Sequence, residues 1–246
     1  MAVASFRAAK VRLEIAAVLG LVAVAGVALF GPRAPLASGP IIVNNTTDPA
    51  STSDNGFCTL REAINNANSP GTDTSGGDCT VPTGEDTIIN FSVSGTIALG
   101  VNGTLPAIVN TLTTDGSGQT ITVSGGGTYQ VLLVNVGATL NLNDLTIADG
   151  YASSPPSGVG RGGGIRNDGT LTVTNSTFSG NSASYVGGGI YSGGALPGTS
   201  AGALTVTNST FSGNSAQYGG GIFGPGTVTN STFSGNSASF LFGGGI

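Results

Sequence analysis

The chain has 246 residues but contains no histidine and no tryptophan, and only two of its residues are cysteines. Between residue 169 and residue 246 it also has no Asp, Glu, Lys or Arg. These absences exclude general acid–base catalysis, carboxylate-bound metals and thiol nucleophiles from the last third of the chain. The lack of tryptophan and an aromatic content of 6% also count against a sugar-stacking site. We therefore expect this third to form a scaffold rather than a catalytic centre.

Positive charge is scarce beyond residue 38. Three arginines, Arg61, Arg161 and Arg166, stand there against eleven acidic residues, which gives a net charge of −8. A surface so poor in cations cannot neutralise phosphates, so neither nucleic acid nor anionic lipid is an expected partner.

Residues 1–38 differ from the rest of the chain. Arg7, Lys10 and Arg12 precede an apolar run over residues 15–30, and small residues follow it. This is the layout of a secretory signal, and it predicts a secreted or cell-surface protein, with an outer-membrane association as one form. Because sixteen apolar residues are short for a bilayer span, an uncleaved N-terminal anchor is the alternative to a signal peptide.

One nine-residue sequence, Asn-Ser-Thr-Phe-Ser-Gly-Asn-Ser-Ala, occurs at residues 175–183, 208–216 and 230–238. Each copy leads into a Gly-Gly-Gly-Ile run, and a fourth run precedes the first copy. The copies are 33 and then 22 residues apart, which fits a unit of about 22 residues with one insertion. Self-similarity at this period indicates stacked repeats, and the regular apolar positions argue against disorder.

The repeat predicts short strands joined by tight corners. Leu171 and Val173 alternate with threonines, which is typical of a strand with one buried face. Corners are expected at Asn175 and at Asn181 with the glycine before it, and a third strand at Ile190. The fold class is therefore all-β, a right-handed parallel β-helix with three short strands per coil over residues 86–246. Stacking should align Phe178, Phe211 and Phe233 in one column and Ile165, Ile190, Ile222 and Ile246 in another. Asn181, Asn214 and Asn236 are the other residues assigned to the repeat scaffold.

Residues 39–85 are predicted to cap this β-helix. Thr59 and Glu62 have the spacing of a capping box, and an apolar stripe follows them, so a helix is expected over residues 60–68. Such a helix would cover the first coil. In an exported protein Cys58 and Cys79 are expected to form a disulfide, and a metal site is the alternative, although no histidine could complete it.

One segment combines both signs of charge beside an insertion at residues 151–160. It comprises Asp144, Asp149, Arg161, Arg166 and Asp168. β-Helical enzymes that cleave acidic polysaccharides need a base near carboxylates that hold calcium, so these residues are the candidate catalytic set if the protein is a lyase or hydrolase. The reading that we favour is that they are corner and surface residues, because sequence proximity does not show convergence. Calcium is the only cofactor considered, and the acids Asp73, Asp78, Glu85 and Asp86 match no calcium loop that would support it.

Threonines recur on the expected outward face of the strands. They are Thr172 and Thr174, Thr205 and Thr207, and Thr227 and Thr229. Stacked coils would arrange them as two ladders, which could bind ice, although threonine is also simply a favourable exposed strand residue.

Two motifs resemble those of known families. The Phe-Ser-Gly-Asn sequences at residues 178–181, 211–214 and 233–236, alternating with Gly-Gly-Gly-Ile, are similar to the FxxN and GGAI motifs of polymorphic outer membrane protein repeats. The sequence Cys-Thr-Leu-Arg-Glu-Ala from residue 58 resembles the CSLREA motif that begins many exported bacterial β-helix proteins. The resemblance covers most of residues 55–246 and implies a surface-exposed or secreted, often adhesive protein. It also leads us to expect a truncated chain, whose bare last coil could associate end to end with another subunit.

We therefore predict an exported adhesion or structural module that presents a rigid polar face to extracellular glycans or proteins. It is expected to be no enzyme and to need no small-molecule cofactor, with a β-helical polysaccharide lyase or glycoside hydrolase as the alternative.

Overall fold

The computed structural model describes residues 39–49, 55–153, 160–193, 202–240 and 243–245. Over these residues the chain winds as a right-handed parallel β-helix, in which strands of successive coils pair in parallel to build four sheets. This confirms the predicted fold class. No helix in these ranges is long and apolar enough to span a membrane, and the predicted signal segment lies outside them.

The sheets are numbered in the order in which a regular coil, such as residues 139–167, passes through them. Sheet 1 contains β1 (Ile41–Val43), β2 (Asp86–Phe91), β4 (Thr111–Asp115), β7 (Thr139–Asn143), β11 (Thr170–Thr174), β15 (Ala203–Thr207) and β19 (Thr227–Thr229). Sheet 2 contains β3 (Gly95–Ala98), β5 (Ile121–Ser124), β8 (Thr146–Ala148), β12 (Thr177–Ser179), β16 (Thr210–Ser212) and β20 (Thr232–Ser234). Sheet 3 contains β9 (Tyr151–Ala152), β13 (Ser182–Ala183), β17 (Ser215–Ala216) and β21 (Ser237–Ala238). Sheet 4 contains β6 (Leu132–Val134), β10 (Ile165–Asn167), β14 (Ile190–Ser192) and β18 (Ile222–Phe223).

The inward residues of sheet 1 form the core. Leu171 and Val173 are fully buried and pair in register with Leu204 and Val206 of the next coil. The predicted alternation is therefore confirmed. From β2 onwards, paired residues in successive strands of sheet 1 are 25, 28, 31, 33 and 22 residues apart, so the 22-residue unit describes the last of these intervals and longer corners account for the others.

The two predicted columns, of phenylalanine and of isoleucine, lie in sheets 2 and 4. The Phe178 and Phe211 rings stack with centroids 4.8 Å apart, and the Phe211 and Phe233 rings with centroids 4.9 Å apart. Ile165, Ile190 and Ile222 pair in register, whereas Ile246 lies outside the described residues. Like residues therefore stack on like residues through the regular coils.

The corner between sheets 1 and 2 has a left-handed residue in each of four coils. The residues are Asp144, Asn175, Asn208 and Asn230, with φ between 48° and 55°. Asn and Asp tolerate this conformation better than other residues that carry a side chain, which explains why the repeat has Asn at its first corner. The predicted corner at Asn175 is confirmed.

The corner between sheets 2 and 3 has a buried asparagine column. The Asn181 side-chain amide nitrogen donates to the Asn214 Oδ1 at 2.9 Å and to the Ile147 carbonyl at 3.0 Å. The Asn214 amide donates in the same way to the Asn236 Oδ1 and to the Phe178 carbonyl. Since Asn181 and Asn214 have no solvent exposure, these bonds satisfy polar groups that water cannot reach.

The structure adds a fourth strand to the three predicted in each regular coil. Ser182–Ala183 and its stacked counterparts form sheet 3, and Gly-Gly-Gly runs connect that sheet to sheet 4. A Cβ atom on Gly189 would lie only 2.6 Å from the Gly221 carbonyl oxygen. The runs are glycine because the backbones of adjacent coils approach each other too closely for a side chain.

Helix α1 (Leu60–Asn68) packs against β1 and β2. The Thr59 hydroxyl accepts a hydrogen bond from the Glu62 backbone N–H, and the Glu62 carboxylate accepts one from the Thr59 backbone N–H. This confirms the predicted helix and its capping box. The Cys58–Cys79 disulfide is also present. β1 belongs to the residues predicted as a cap, yet it extends sheet 1 by one strand.

Arg61 fastens the helix to two loops. Its Nε and Nη2 atoms donate to the two carboxylate oxygens of Asp48 at 2.6 and 2.9 Å. Nη1 and Nη2 also donate to the carbonyls of Thr104 and Gly103. Because the Arg61 and Asp48 side chains are 9% and 1% exposed, this bidentate pair holds the cap in a fixed position.

Candidate binding groove

Aromatic residues beside the Gly-Gly-Gly-Ile runs line a groove of about 410 Å³ on the outside of the β-helix. This volume falls within the range of small-molecule binding sites in proteins, about 300 to 1,000 Å³. The residues that line the groove are Arg161, Tyr185, Val186, Tyr191, Tyr218 and Phe223.

Stacking of the coils brings the aromatic rings together. In β14 and β18, Tyr191 and Phe223 follow the inward residues Ile190 and Ile222, so they lie on the opposite face of sheet 4. Their rings are parallel to within 8°, with centroids 6.3 Å apart. The groove wall in sheet 4 is therefore set by strand register.

The second wall comes from the segments that precede the glycine runs. The Tyr185 and Tyr218 rings meet edge to face, with centroids 5.5 Å apart. The Tyr218 ring also stacks on Phe240, with centroids 5.6 Å apart. Tyr185 is 40% exposed and Phe240 is 56% exposed, so aromatic surface faces solvent across several coils. Contiguous apolar surface of this kind marks an interaction site more often than an isolated exposed ring does.

Arg161 stands at one end of these rings. Its guanidinium carbon lies 5.2 Å from the centre of the Tyr191 ring, a cation–π contact. Arg61 and Arg166 are paired with carboxylates, whereas no acidic side chain within the described ranges forms an ion pair with Arg161. The groove therefore has a positive charge that no neighbouring carboxylate in those ranges neutralises.

The structure distributes the predicted charged cluster around the coil. Asp144 lies between sheets 1 and 2, and Asp149 lies between sheets 2 and 3, both with left-handed backbones. Arg161 comes before sheet 4. Arg166 in β10 and Asp168 just after it form an ion pair of 2.7 Å, which is the one ion pair within this set over the described residues. Of the insertion at residues 151–160, residues 154–159 lie outside the described ranges.

Acidic side chains near the cap accept hydrogen bonds from nearby backbone N–H groups. Asp78 accepts hydrogen bonds from the backbone N–H groups of Asn55 and Gly56. The backbone N–H and then the hydroxyl of Ser75 hold the pKa of Asp73 below its ordinary value. Across the described part of the chain, no three Asp, Glu, Cys or His residues are grouped so that they could hold a metal ion.

The predicted threonine ladders have the expected register in sheet 1. Thr172, Thr205 and Thr227 pair in one row, and Thr174, Thr207 and Thr229 pair in the other. In the preceding coil the same rows continue with Asn141 and Asn143. The outward face of sheet 1 is therefore polar, but its side chains differ from coil to coil.

Sequence reasoning missed the aromatic groove. Its signal was an aromatic residue beside the Gly-Gly-Gly-Ile runs, with Tyr185 and Tyr218 before them and Tyr191 and Phe223 after them. The aromatic content of 6% gives the number of aromatic residues but not their positions, whereas the fold brings these four residues to one surface.

Comparisons with protein-family models, with curated protein sequences and with solved structures found no match to the chain. The proposals below therefore rest on the sequence and on the geometry of the groove.

Proposed function

We propose that the protein is an exported adhesion module, secreted or held at the cell surface, that binds extracellular glycans in the aromatic groove. The observation that supports this most is the set of aromatic rings from successive coils that line one groove, in which Tyr185 and Phe223 are 40% and 38% exposed. The carbon-bound hydrogens of a sugar ring carry slight positive charge, and the face of an aromatic ring carries negative charge, so the two surfaces attract each other. Several rings in a row suit a polymer of sugars.

The scaffold lowers the cost of binding. The rings are held by paired strands and by neighbouring rings, so their rotamers are largely fixed before a ligand arrives. A specific protein interface takes about 20 to 30 residues on each side. Six described residues line the groove, so it matches a narrow ligand better. These features favour a glycan over a protein as the occupant.

Export has independent support. The order of basic residues, apolar run and small residues over residues 1–38 is that of a secretory signal. The Cys58–Cys79 disulfide fits an oxidising compartment. Both observations agree with a protein that meets its ligand outside the cell.

The proposal is tested by measuring the affinity of the purified protein for a panel of polysaccharides. Phe223→Ala and Tyr218→Ala remove rings from the two walls, and each is expected to weaken binding about 2- to 13-fold, since one aromatic contact contributes about 0.5 to 1.5 kcal/mol. Phe57→Ala is the matched control, because Phe57 is 50% exposed but lies in the cap. Absence of binding to any polysaccharide, or equal binding by all four proteins, would refute the proposal.

Two alternatives remain predictions with tests of their own. Release of small products from the same polysaccharides, with or without calcium, would favour a lyase or hydrolase, and its loss in Arg166→Ala would assign the reaction to the Arg166–Asp168 pair. Thermal hysteresis of an ice–water mixture would favour ice binding by the ladders of sheet 1, and Thr205→Lys in the middle of one row should then abolish it.

A further inference from the structure

The groove is chemically asymmetric along the direction in which the coils stack. The backbone of Arg161 forms an isolated parallel β-bridge with Val186 of the next coil, and Val186 forms one with Tyr218 of the coil after it. These three residues therefore occupy equivalent places in successive coils. Arg166 likewise pairs with Tyr191 in the next coil, and Tyr191 pairs with Phe223 in the coil after that. Arg166 is itself preceded by Leu133 of the coil before it, but in both columns an arginine is followed, in the next two coils, by apolar or aromatic side chains. A ligand lying along the groove would meet positive charge at one end only.

The two arginines differ in how much of their charge is available. Arg166 donates to the Asp168 carboxylate at 2.7 Å, and the Asp168 side chain is 5% exposed, so that charge is neutralised within the protein. Arg161 has no such partner among the described residues, and its contact there is with the face of the Tyr191 ring. Stacking on a ring restrains the planar guanidinium but leaves its edge of N–H donors unoccupied by that contact.

The rest of the groove adds no opposing charge. Tyr185, Tyr191, Tyr218 and Phe223 lie in the part of the chain from residue 169 onwards, which has no ionisable acid or base other than tyrosine. The chain beyond residue 38 carries a net charge of −8, so long-range electrostatics would repel an anionic polymer. Selection of an anion must then come from direct contact with Arg161.

We infer that the groove selects glycans that contain uronic acid, with Arg161 binding the sugar carboxylate while neighbouring rings pack against the sugar. A guanidinium edge presents two parallel N–H donors at the spacing of the two carboxylate oxygens, so a bidentate pair is geometrically matched. A uronic acid carries its carboxylate directly on the sugar ring, so its charge and its apolar ring face lie side by side, as Arg161 and the exposed Tyr185 and Phe223 rings do along the groove. This inference rests on the proposed glycan-binding function and adds a ligand class to it.

The test uses two polymers that differ only in charge: a polyuronate, and the same polymer after reduction of its carboxylates to alcohols. The wild-type protein is expected to bind the polyuronate about 10- to 100-fold more tightly, the range for a charge-assisted bidentate pair. Arg161→Gln should reduce polyuronate binding to the level at which the same variant binds the neutral polymer, so that the variant no longer distinguishes the two polymers. Arg161→Lys keeps the charge without the planar edge and should fall between wild type and Arg161→Gln.

Phe223→Ala separates this inference from the proposed function, because it should weaken binding of both polymers by the same factor. Equal affinity of the wild-type protein for the two polymers would overturn the acidic selectivity while leaving glycan binding intact. An Arg161→Gln protein that loses the two polymers equally would also overturn it. If the wild-type protein binds neither polymer but binds another polysaccharide of the panel, the inference alone is overturned. If it binds no polysaccharide at all, the inference and the proposed function are overturned together. Melting temperatures of the variants check that each one is folded.

Discussion

Replacing Asn214 by alanine is expected to destabilise the β-helix far more than replacing an exposed asparagine of the same repeat. The Asn214 Oδ1 accepts hydrogen bonds from the backbone and side-chain amides of Asn181, at 3.0 and 2.9 Å. Its Nδ2 donates to the Phe178 carbonyl at 3.0 Å and to the Asn236 Oδ1 at 2.9 Å. One side chain therefore joins four polar groups from the two neighbouring coils, and it has no solvent exposure.

The magnitude follows from the groups that the substitution leaves behind. Without the Asn214 amide, the Asn181 backbone N–H, the Asn181 side-chain amide and the Phe178 carbonyl all lose a buried partner. An unsatisfied buried donor or acceptor costs about 1 to 3 kcal/mol, and partial repair by water or by rearrangement reduces the sum. We expect a loss of about 3 to 6 kcal/mol, which is a large fraction of the 5 to 15 kcal/mol typical of a folded protein.

Urea unfolding monitored by circular dichroism measures this loss, because the midpoint shifts in proportion to the free energy of unfolding when the slope is unchanged. Asn208→Gly is the matched control. Asn208 is exposed, its φ of 52° suits glycine, and its amide makes a longer bond of 3.4 Å to Asn175. The control should change stability by less than about 1 kcal/mol. Equal effects of the two substitutions would refute the assignment of the Asn214 column as a stabilising element.

Three further substitutions test other parts of the scaffold. Phe211→Ala removes the middle ring of a buried stack and should cost about 3 to 5 kcal/mol of unfolding free energy, measured by urea titration. Gly189→Ala places a Cβ atom 2.6 Å from the Gly221 carbonyl oxygen and should lower the melting temperature, by a strain of about 1 to 3 kcal/mol. Replacing Cys58 and Cys79 by serine opens a loop with a sequence separation of 21 and should cost about 3 kcal/mol; a reductant should then have no further effect on the variant, whereas it lowers the stability of the wild type.

The parts of the fold that the sequence predicted are those with a strong local signal. Thr59 and Glu62 mark the start of α1, and alternation at Leu171 and Val173 marks a strand. The two-residue strand Ser182–Ala183 was not predicted, because two residues are too few to show an alternation. Coil length was also underestimated for the earlier coils, since loops of different length leave the register of sheet 1 unchanged.

The groove depends on long-range register and was therefore harder to predict. Tyr191 and Phe223 are 32 residues apart in the chain and become neighbours because Ile190 pairs with Ile222. Sequence proximity alone does not bring charged residues together. Arg166 and Asp168 form an ion pair, whereas Asp144 and Asp149 lie at other corners of the coil, in line with the favoured reading of them as corner residues. In a β-helix, residues one coil apart are closer in space than many residues five apart in sequence.

The same repeat positions build the scaffold and the proposed binding surface. In β18 the inward Ile222 is 1% exposed and the next residue, Phe223, is 38% exposed, because successive side chains of a strand point to opposite faces. A repeat that stacks its isoleucines in register must therefore also stack the residues that follow them. Changing those outward residues from coil to coil, as from Arg166 to Tyr191 to Phe223, alters the chemistry of the surface without disturbing the isoleucine column. This separation explains how a chain with so regular a core has a groove that is cationic at one end and aromatic at the other.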